Sequence, residues 1–368
     1  MSDCHPVVSV IVPARNEEAG LALCLESLVA QADIEFEIII VDDASTDRTA
    51  EIAQSFANAH EEVAPGSERP GERRALPGTS PNCLAVYVIS APALPANWTG
   101  KNNAMAAGAK IAQGKWLLFT DADTFHKPGS LARAVAEAEQ YGASLLSYSP
   151  EQEVRTFLEK AVMPVIFAEL TRTYPARSVN GGASPIAAAN GQYLLISREA
   201  YEAVGGHTQI AQDLLEDVAM ARLVKSSGRR IFFRYGGDAV RTRMYRSWSQ
   251  MKEGWTKNLA LLFKRPRFLA FVRAMEFDSI GVSTMAAIIL PYYGHAEIAA
   301  ASGLVAAALL ISFWLRIRRA HFSEKSNFLA LGGLAIFSYL LLCSARLHRN
   351  RGVTWKGREY RLTGKKAT

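Results

Sequence analysis

Hydrophobic and polar positions along this 368-residue chain follow two patterns that meet near residue 240. In the first, short apolar runs alternate with amphipathic stretches. The β-branched run at 7–12 stops at Pro13 and gives way to Asn16 and two glutamates, which predicts strand, loop and helix start. Leu21, Leu25 and Leu28 recur at helical spacing, and 36–41 supplies a second strand, after which Ser45 or Thr46 is placed to cap another helix. A third strand is expected in LAVYVIS. The loop APALPANWTGKNNA then leads to a helix through Ile111, and WLLF at 116–119 predicts a buried fourth strand. Leu214, Val218 and Leu223 mark a later helix. Strands alternating with helices predict an α/β fold with a mostly parallel, doubly wound central sheet, whose ligands gather beyond the carboxyl ends of the strands. The segment at 58–82, rich in Pro, Gly, Glu and Arg without periodicity, is expected to be a mobile surface loop. Residues 153–174 predict a helix of mixed polarity, interrupted by Pro164, that suits either a core or a membrane surface.

Beyond residue 240 the apolar runs lengthen to 277–294, 298–315 and 328–345, each near the ~20 residues that cross a bilayer. Charge divides at the same place. Residues 1–240 hold 20 Lys and Arg against 29 Asp and Glu, a net −9, whereas 241–368 hold 21 against 6, a net +15. The basic residues cluster beside the apolar runs, as Arg316, Arg318 and Arg319 do and again Arg346, Arg349 and Arg351. Membrane flanks explain this better than a nucleic-acid surface, and no nucleic acid is expected as a partner. The expected organisation is a catalytic domain at 1–240, basic interfacial amphipathic helices at 241–275, transmembrane helices at 276–346 and a basic cytoplasmic tail at 347–368. The first twelve residues lack the pattern of a secretory signal. Four scattered cysteines without a CxxC pair indicate neither zinc nor disulfides and fit a reducing compartment. Three full crossings would leave the basic tail outside, against the positive-inside tendency; Asp278 and Pro291 make the first run the weakest span, and an even number of crossings is expected.

Candidate chemistry concentrates at the predicted strand ends. In TDADT, Asp121 and Asp123 follow a buried strand with one alanine between them, and two such acids repel one another unless a cation lies close. One reading is a turn or helix cap. The other is a Mg²⁺ or Mn²⁺ site bridging to the phosphates of a nucleotide diphosphate, because these ions take few protein carboxylates and fill their remaining positions with water and phosphate. Asp42 and Asp43 either cap the following helix or, with Pro13, Ala14, Arg15 and Glu17 on the neighbouring strand end, line a cleft for a nucleobase and ribose.

VSVIVPARNEE, VDDASTDRT, GKNNAMAAGAK, WLLFTDADT and LLEDVAMARLVKSSG occur in that order over about residues 7–230, and in this the chain resembles family 2 glycosyltransferases with a GT-A fold (Rossmann-like, nucleotide-diphospho-sugar transferase). NGQYLLISREAYEAVGGH and VRTRMYRSWSQMKEGWTKN resemble the membrane-bound branch that glycosylates lipids such as hopanoids, carotenoids or sphingolipids. The resemblance implies C-terminal transmembrane helices and inverting transfer from a nucleotide-diphosphate sugar of UDP or GDP type to a membrane lipid acceptor. It implies base contact by Asp42 or Asp43, Mg²⁺ or Mn²⁺ held by Asp121 and Asp123, and Lys101 approaching the diphosphate unless it is merely a solvated lysine. The family's catalytic base falls on Glu216-Asp217, with Asp217 preferred. Its diphosphate- and acceptor-closing element falls on Arg243, Arg246 and Trp248, with Arg243 in place of the commoner glutamine; a basic helix resting on anionic headgroups would account for these residues too. His207, after Gly205-Gly206, either lines the acceptor pocket or is simply packed. The rival readings are nucleotidyl transfer to a sugar phosphate and a non-catalytic membrane scaffold.

Overall fold

The computed structural model describes residues 5–59, 82–349, 352–355 and 358–361. Except at its ends, the loop expected at 58–82 lies outside the described residues, as do Cys4 and half of the tail expected at 347–368. The chain divides into two compact units, one of Met1–Glu153 with Ala176–Arg243 and the other of Val154–Pro175 with Met244–Thr368.

The first unit is built on a seven-stranded sheet. Its strands are β1 (Val8–Ala14), β2 (Phe36–Asp42), β3 (Cys83–Ser90), β4 (Trp116–Phe119), β6 (Leu145–Ser149), β8 (Leu194–Ser197) and β9 (Ile231–Tyr235), in the order β3-β2-β1-β4-β8-β6-β9. Between them run α1 (Leu21–Val29), α2 (Thr49–Ala59), α3 (Gly100–Ile111), α4 (Ser130–Gln140), α6 (Ala176–Asn180), α7 (Arg198–Ala203) and α8 (Glu216–Ser226). A second small sheet joins β5 (Thr124–His126), β10 (Val240–Thr242) and β7 (Glu151–Gln152). The four predicted strands are all present, and β1 and β2 are buried on both faces as their near-continuous apolar runs require. Alternation sends Val8, Val10 and Val12 into one core, while Ile11 points to the other face and meets α3. There a Cβ on Gly108 would stand 2.6 Å from Ile11 Cγ2 and 3.1 Å from Val41 Cγ2, so the glycine lets α3 lie close on the sheet.

Strand β8 is antiparallel to both β4 and β6, while every other pairing in the large sheet is parallel. This inversion positions the site. Leu194 at the start of β8 pairs with Phe119 at the end of β4, so the segment entering β8 arrives at the edge where the parallel strands end.

Two helix starts differ from expectation. Lys101 was expected in a turn before its helix, but Gly100 and Lys101 are the first residues of α3, because Thr99 caps it by accepting from Asn102 N. Helix α2 begins at Thr49 rather than near Thr46: Asp47 accepts from Thr49 N at 3.0 Å, while Ser45 and Thr46 bond to Asn16 instead.

The second unit comprises α5 (Phe157–Thr173), α9 (Trp248–Leu262), α10 (Pro266–Ile289), α11 (Ala296–Ile317), α12 (Glu324–Arg349) and a hairpin of β11 (Gly352–Trp355) and β12 (Arg358–Arg361). Its core gathers Val162, Ile166, Trp255, Leu334, Phe337 and Leu341, so the 153–174 segment is a buried helix of this unit, opened by a capping box between Thr156 and Glu159. Three of its helices, Pro266–Tyr293, Ala296–Ala320 and Glu324–Arg349, are long and apolar enough to cross a membrane.

Helices α5 and α12 approach backbone to backbone at Gly333, where a Cβ would fall 1.9 Å from Ala161 O. Gly333→Ala is therefore expected to push the two helices apart and destabilise the protein by roughly 1–3 kcal/mol, read as a lowered unfolding temperature of the detergent-solubilised chain. An unchanged unfolding temperature would mean that this approach is not tight.

Candidate active site at the carboxyl edge of the sheet

The loops after β1 and β2 are latched together by their own polar groups. Arg15 Nη1 donates to Asp43 O at 2.6 Å, Glu17 N donates to Thr49 Oγ1 at 2.7 Å, and Asn16 Oδ1 accepts from Thr46 N at 2.8 Å. Asn16 and Ala44 turn the two loops with positive φ, 52° and 55°. Asp42 Oδ1 accepts from Ser45 N, and Asp43 is buried with its N–H on Ala14 O. Thus Pro13, Ala14, Arg15, Glu17, Asp42 and Asp43 stand together at the adjacent ends of β1 and β2.

Next to them, β4 ends in Thr120 and the Asp121-Ala122-Asp123 turn. Ala122 is buried in the core, and the turn is braced from two sides: a Cβ on Gly20, beside α1, would lie 3.2 Å from Asp123 Cα, and Thr242 Oγ1 of β10 donates to Asp123 O at 3.2 Å. The close approach of α1 needs a residue without a side chain at position 20.

A cation for Asp121 is present in the chain itself. Lys101 Nζ stands 2.6 Å from Asp121 Oδ1 and 2.5 Å from Glu216 Oε1. Burial disfavours the ammonium, yet the charges of Asp121 and Glu216 outweigh it and hold Lys101 well above the usual lysine range. The residues after Lys101 explain why it is held there. Asn102 Nδ2 donates to Ile210 O, Ala211 O and Asp213 O, tying the start of α3 to the loop before α8, and Asn103 Nδ2 donates to Pro92 O. GKNNA is thus one ion-pairing residue followed by two loop anchors.

Glu216 and Asp217 open α8. Asp217 Oδ2 accepts from Gly191 N at 2.9 Å, and Oδ1 accepts from Val218 N at 2.7 Å. Burial, reinforced by the neighbouring Glu216 charge, raises the Asp217 carboxyl from 3.8 to about 7, against the opposing pull of Lys101 and the two N–H donors. Gly191 lies on the segment entering β8, fixed where Thr120 Oγ1 donates to Gln192 O at 2.8 Å. A Cβ there would meet Glu216 Oε1 and Lys101 Nζ, each at 3.1 Å.

Asp121, Lys101, Glu216 and Asp217 therefore form one constellation. His207 is placed differently: it is buried, its Nδ1 is 2.8 Å from Tyr201 OH, and its ring meets Phe119 edge-on at 4.6 Å. Burial, then the Lys101 charge, lowers it to about 3, so it is neutral at physiological pH. Arg243 follows β10 in the first unit, whereas Arg246 and Trp248 belong to the second, where Ser247 caps α9 and Trp248 is its first residue. Asn102, Gly191, Gly20 and Thr242 were given no role from sequence. The quoted motifs contain all of these but Gly20, yet their partners lie 26 to 119 residues away.

Asp121 and Asp123 offer two hard carboxylates at a strand end. Among the described residues no group of three or more His, Cys, Asp and Glu side chains is assembled as a metal site. Two carboxylates nevertheless fit Mg²⁺ or Mn²⁺, which complete their octahedra with water and substrate phosphate.

The family model for glycosyl transferase family 2 matches residues 9–66 and 93–205, the segments that carry the latched loops, Lys101, Asp121, Asp123 and Gly191. The chain belongs to glycosyl transferase family 2. Over 98% of its length it is 24% identical to 4,4'-diaponeurosporenoate glycosyltransferase of Staphylococcus aureus (strain USA300), covering 89% of that protein. The mannosyltransferase PcManGT from Pyrobaculum calidifontis, solved with GDP-Man and Mn²⁺, superposes with a TM-score of 0.50 at 18% identity, covering 94% of this chain and 88% of that one. The fold is GT-A. As a family 2 glycosyltransferase the chain is an enzyme of sugar transfer, and both nucleotidyl transfer and the non-catalytic scaffold give way to that activity.

Gly191→Ala is expected to displace Glu216 or Lys101 and cut glycosyl transfer by about 10²-fold through misplacement alone, with the unfolding temperature essentially kept. Full activity of this variant would show that the close approach at Gly191 is not required.

Proposed function

We propose that this glycosyltransferase moves a sugar, with inversion, from a nucleotide-diphosphate sugar of UDP or GDP type to a hydroxyl of a membrane lipid, with Asp217 as general base. The observation that carries the reading is a buried carboxylate with a raised pKa, oriented by the Gly191 N–H beside Glu216, which Lys101 bridges to Asp121. The acceptor oxygen attacks the anomeric carbon as its proton passes to Asp217. The bond from that carbon to the diphosphate oxygen breaks, and the electron pair leaves with the nucleoside diphosphate. One displacement inverts the centre and needs one carboxylate, unlike the two of glycoside hydrolysis.

Each remaining group has a part. Asp42 or Asp43 contacts the base, and the loop of Pro13, Ala14, Arg15 and Glu17 encloses base and ribose. Lys101 neutralises the diphosphate as it gains charge, exchanging part of its pairing with Asp121 for phosphate oxygen. Asp121 and Asp123 would hold Mg²⁺ or Mn²⁺, which supplies charge stabilisation to the leaving group when bound. Arg243, Arg246 and Trp248 serve diphosphate and acceptor, and His207 supports the wall from inside. The Mn²⁺ and GDP-Man named with the Pyrobaculum enzyme support the donor and the metal, and the glycosyltransferase named for the Staphylococcus relative supports the sugar transfer. The three apolar helices give the lipid acceptor its route, in a multi-pass protein of the cell (inner) membrane with the catalytic unit cytoplasmic.

Asp217→Asn is expected to lower transfer by about 10²–10⁴-fold in membranes supplied with labelled nucleotide sugars and lipid extract. Wild-type rates in this variant would reject Asp217 as base. Because the base works only when ionised, and its pKa is raised to about 7, kcat/KM is expected to fall about tenfold per pH unit below 7. A profile flat down to pH 5 would contradict the assignment. Excess EDTA is expected to abolish transfer and Mn²⁺ or Mg²⁺ to restore it; full activity in EDTA would remove the metal from the scheme.

A further inference from the structure

Charge placement in the second unit separates the part that can enter hydrocarbon from the part that cannot. Arg273 in the first half of α10 lies 3.0 Å from Glu169 of α5 and 2.5 Å from Glu276. Arg316, near the end of α11, reaches Glu276 at 2.8 Å and Glu169 at 3.5 Å, and Arg172 adds a contact to Glu169 at 2.9 Å. Glu169 is completely buried. This knot of ions closes the base of a helical hairpin. From 277 to 315 there is no Lys or Arg, and the two acids stand at the ends of the arms, Asp278 at the base and Glu297 just past the turn; each arm, 277–293 and 298–315, is roughly 25 Å long at 1.5 Å per residue, close to the hydrocarbon thickness. Past Ile280 no residue of α10 is buried, and Val282, Met285, Ile288 and Leu304 stand 54–74% exposed. Tyr292 and Tyr293 are exposed at the turn, where aromatic rings suit the far headgroup region.

Helix α12 is as apolar as α11 and buries one side in the core of this unit, but the helix it runs beside, α9, carries exposed polar groups. Phe337 stacks edge-on with Phe263, Ser344 Oγ accepts from Ala260 N at 2.8 Å, and His348 Nε2 lies 2.7 Å from Lys257 O. As α12 advances through 337, 344 and 348, its partners recede through 263, 260 and 257, so it runs antiparallel along α9. That helix exposes Ser249, Gln250, Lys252 and Glu253, and Lys252 sits over the Tyr339 ring at 5.4 Å. A crossing by α12 would draw these groups into hydrocarbon, which is costly. Its exposed stripe instead runs Phe328, Tyr339, Leu342 between Lys325 and Arg346, the arrangement of a helix lying flat in the headgroup region.

We propose that only the α10–α11 hairpin crosses the bilayer, and that α12 lies on the membrane surface beside α9 with both its ends on the side from which α10 enters. The chain then crosses twice, and the basic residues after α12 stay on the catalytic side, in keeping with the positive-inside tendency.

The test is sidedness of the full chain in bacterial cells, carrying a tag at each terminus and a short epitope inserted after Gly294. Antibody access to spheroplasts and to inverted vesicles is expected to place the two termini on one side and the 294 epitope on the other. A C-terminal tag on the side opposite the N-terminal one would overturn the proposal, because α12 would then cross. All three sites on one side would overturn it as well, because the hairpin would not cross. Gly294→Cys, labelled by a membrane-impermeant maleimide, replaces the epitope should the insertion impair folding. No sugar donor enters the assay, so its outcome is independent of the transfer chemistry.

Discussion

The ammonium of Lys101 between Asp121 and Glu216 is the contact on which the site depends. The ends of β2 and β4 and the N-terminus of α8 bring acids to one edge of the sheet, where they repel one another. A fixed cation, held well above its usual pKa by those same acids, makes the edge stable without substrate. It also opposes the burial and the Glu216 charge that raise the Asp217 carboxyl.

That cation needs rigid support, and the topology supplies it. Because β8 runs against β4, the Asn190-Gly191-Gln192 segment reaches the carboxyl edge and presents an N–H to Asp217. Asn102 ties the other end of the arrangement by gathering three carbonyls of the loop before α8. Lys101 and Asp217 are therefore set by neighbours bonded to backbone, which side-chain motion cannot easily disturb.

The strands β1 to β4, the mostly parallel sheet and the acids at its edge follow from local pattern: apolar runs ended by polar loops need no tertiary information. What lay beyond reach was non-local. The acid pair of TDADT signalled a missing positive charge, but a lysine twenty residues earlier and an ion from solution satisfy that demand equally in sequence. Asn102 and Gly191 have ordinary identities and act through backbone far along the chain. Likewise 153–174 joins a unit whose other helices begin some 70 residues later, so its own polarity left core and surface positions equally open. The two helix starts moved because Thr99 and Asp47, rather than the residues nearest the apolar periodicity, had oxygens facing the free N–H groups.

The second unit repeats the same economy of charge in an apolar setting, where Glu169 and Glu276 with three arginines mark where polar surroundings end. The claim at the centre of the account is that the Asp121 edge receives a nucleotide diphosphate with a divalent ion. Calorimetric titration of UDP and GDP into the full chain in detergent, with and without Mn²⁺ and repeated on Asp121→Asn, tests it most directly. The account predicts binding of at least one nucleotide that strengthens with Mn²⁺ and is lost in the variant. Binding by neither nucleotide, or equal binding in the variant without metal, would contradict it.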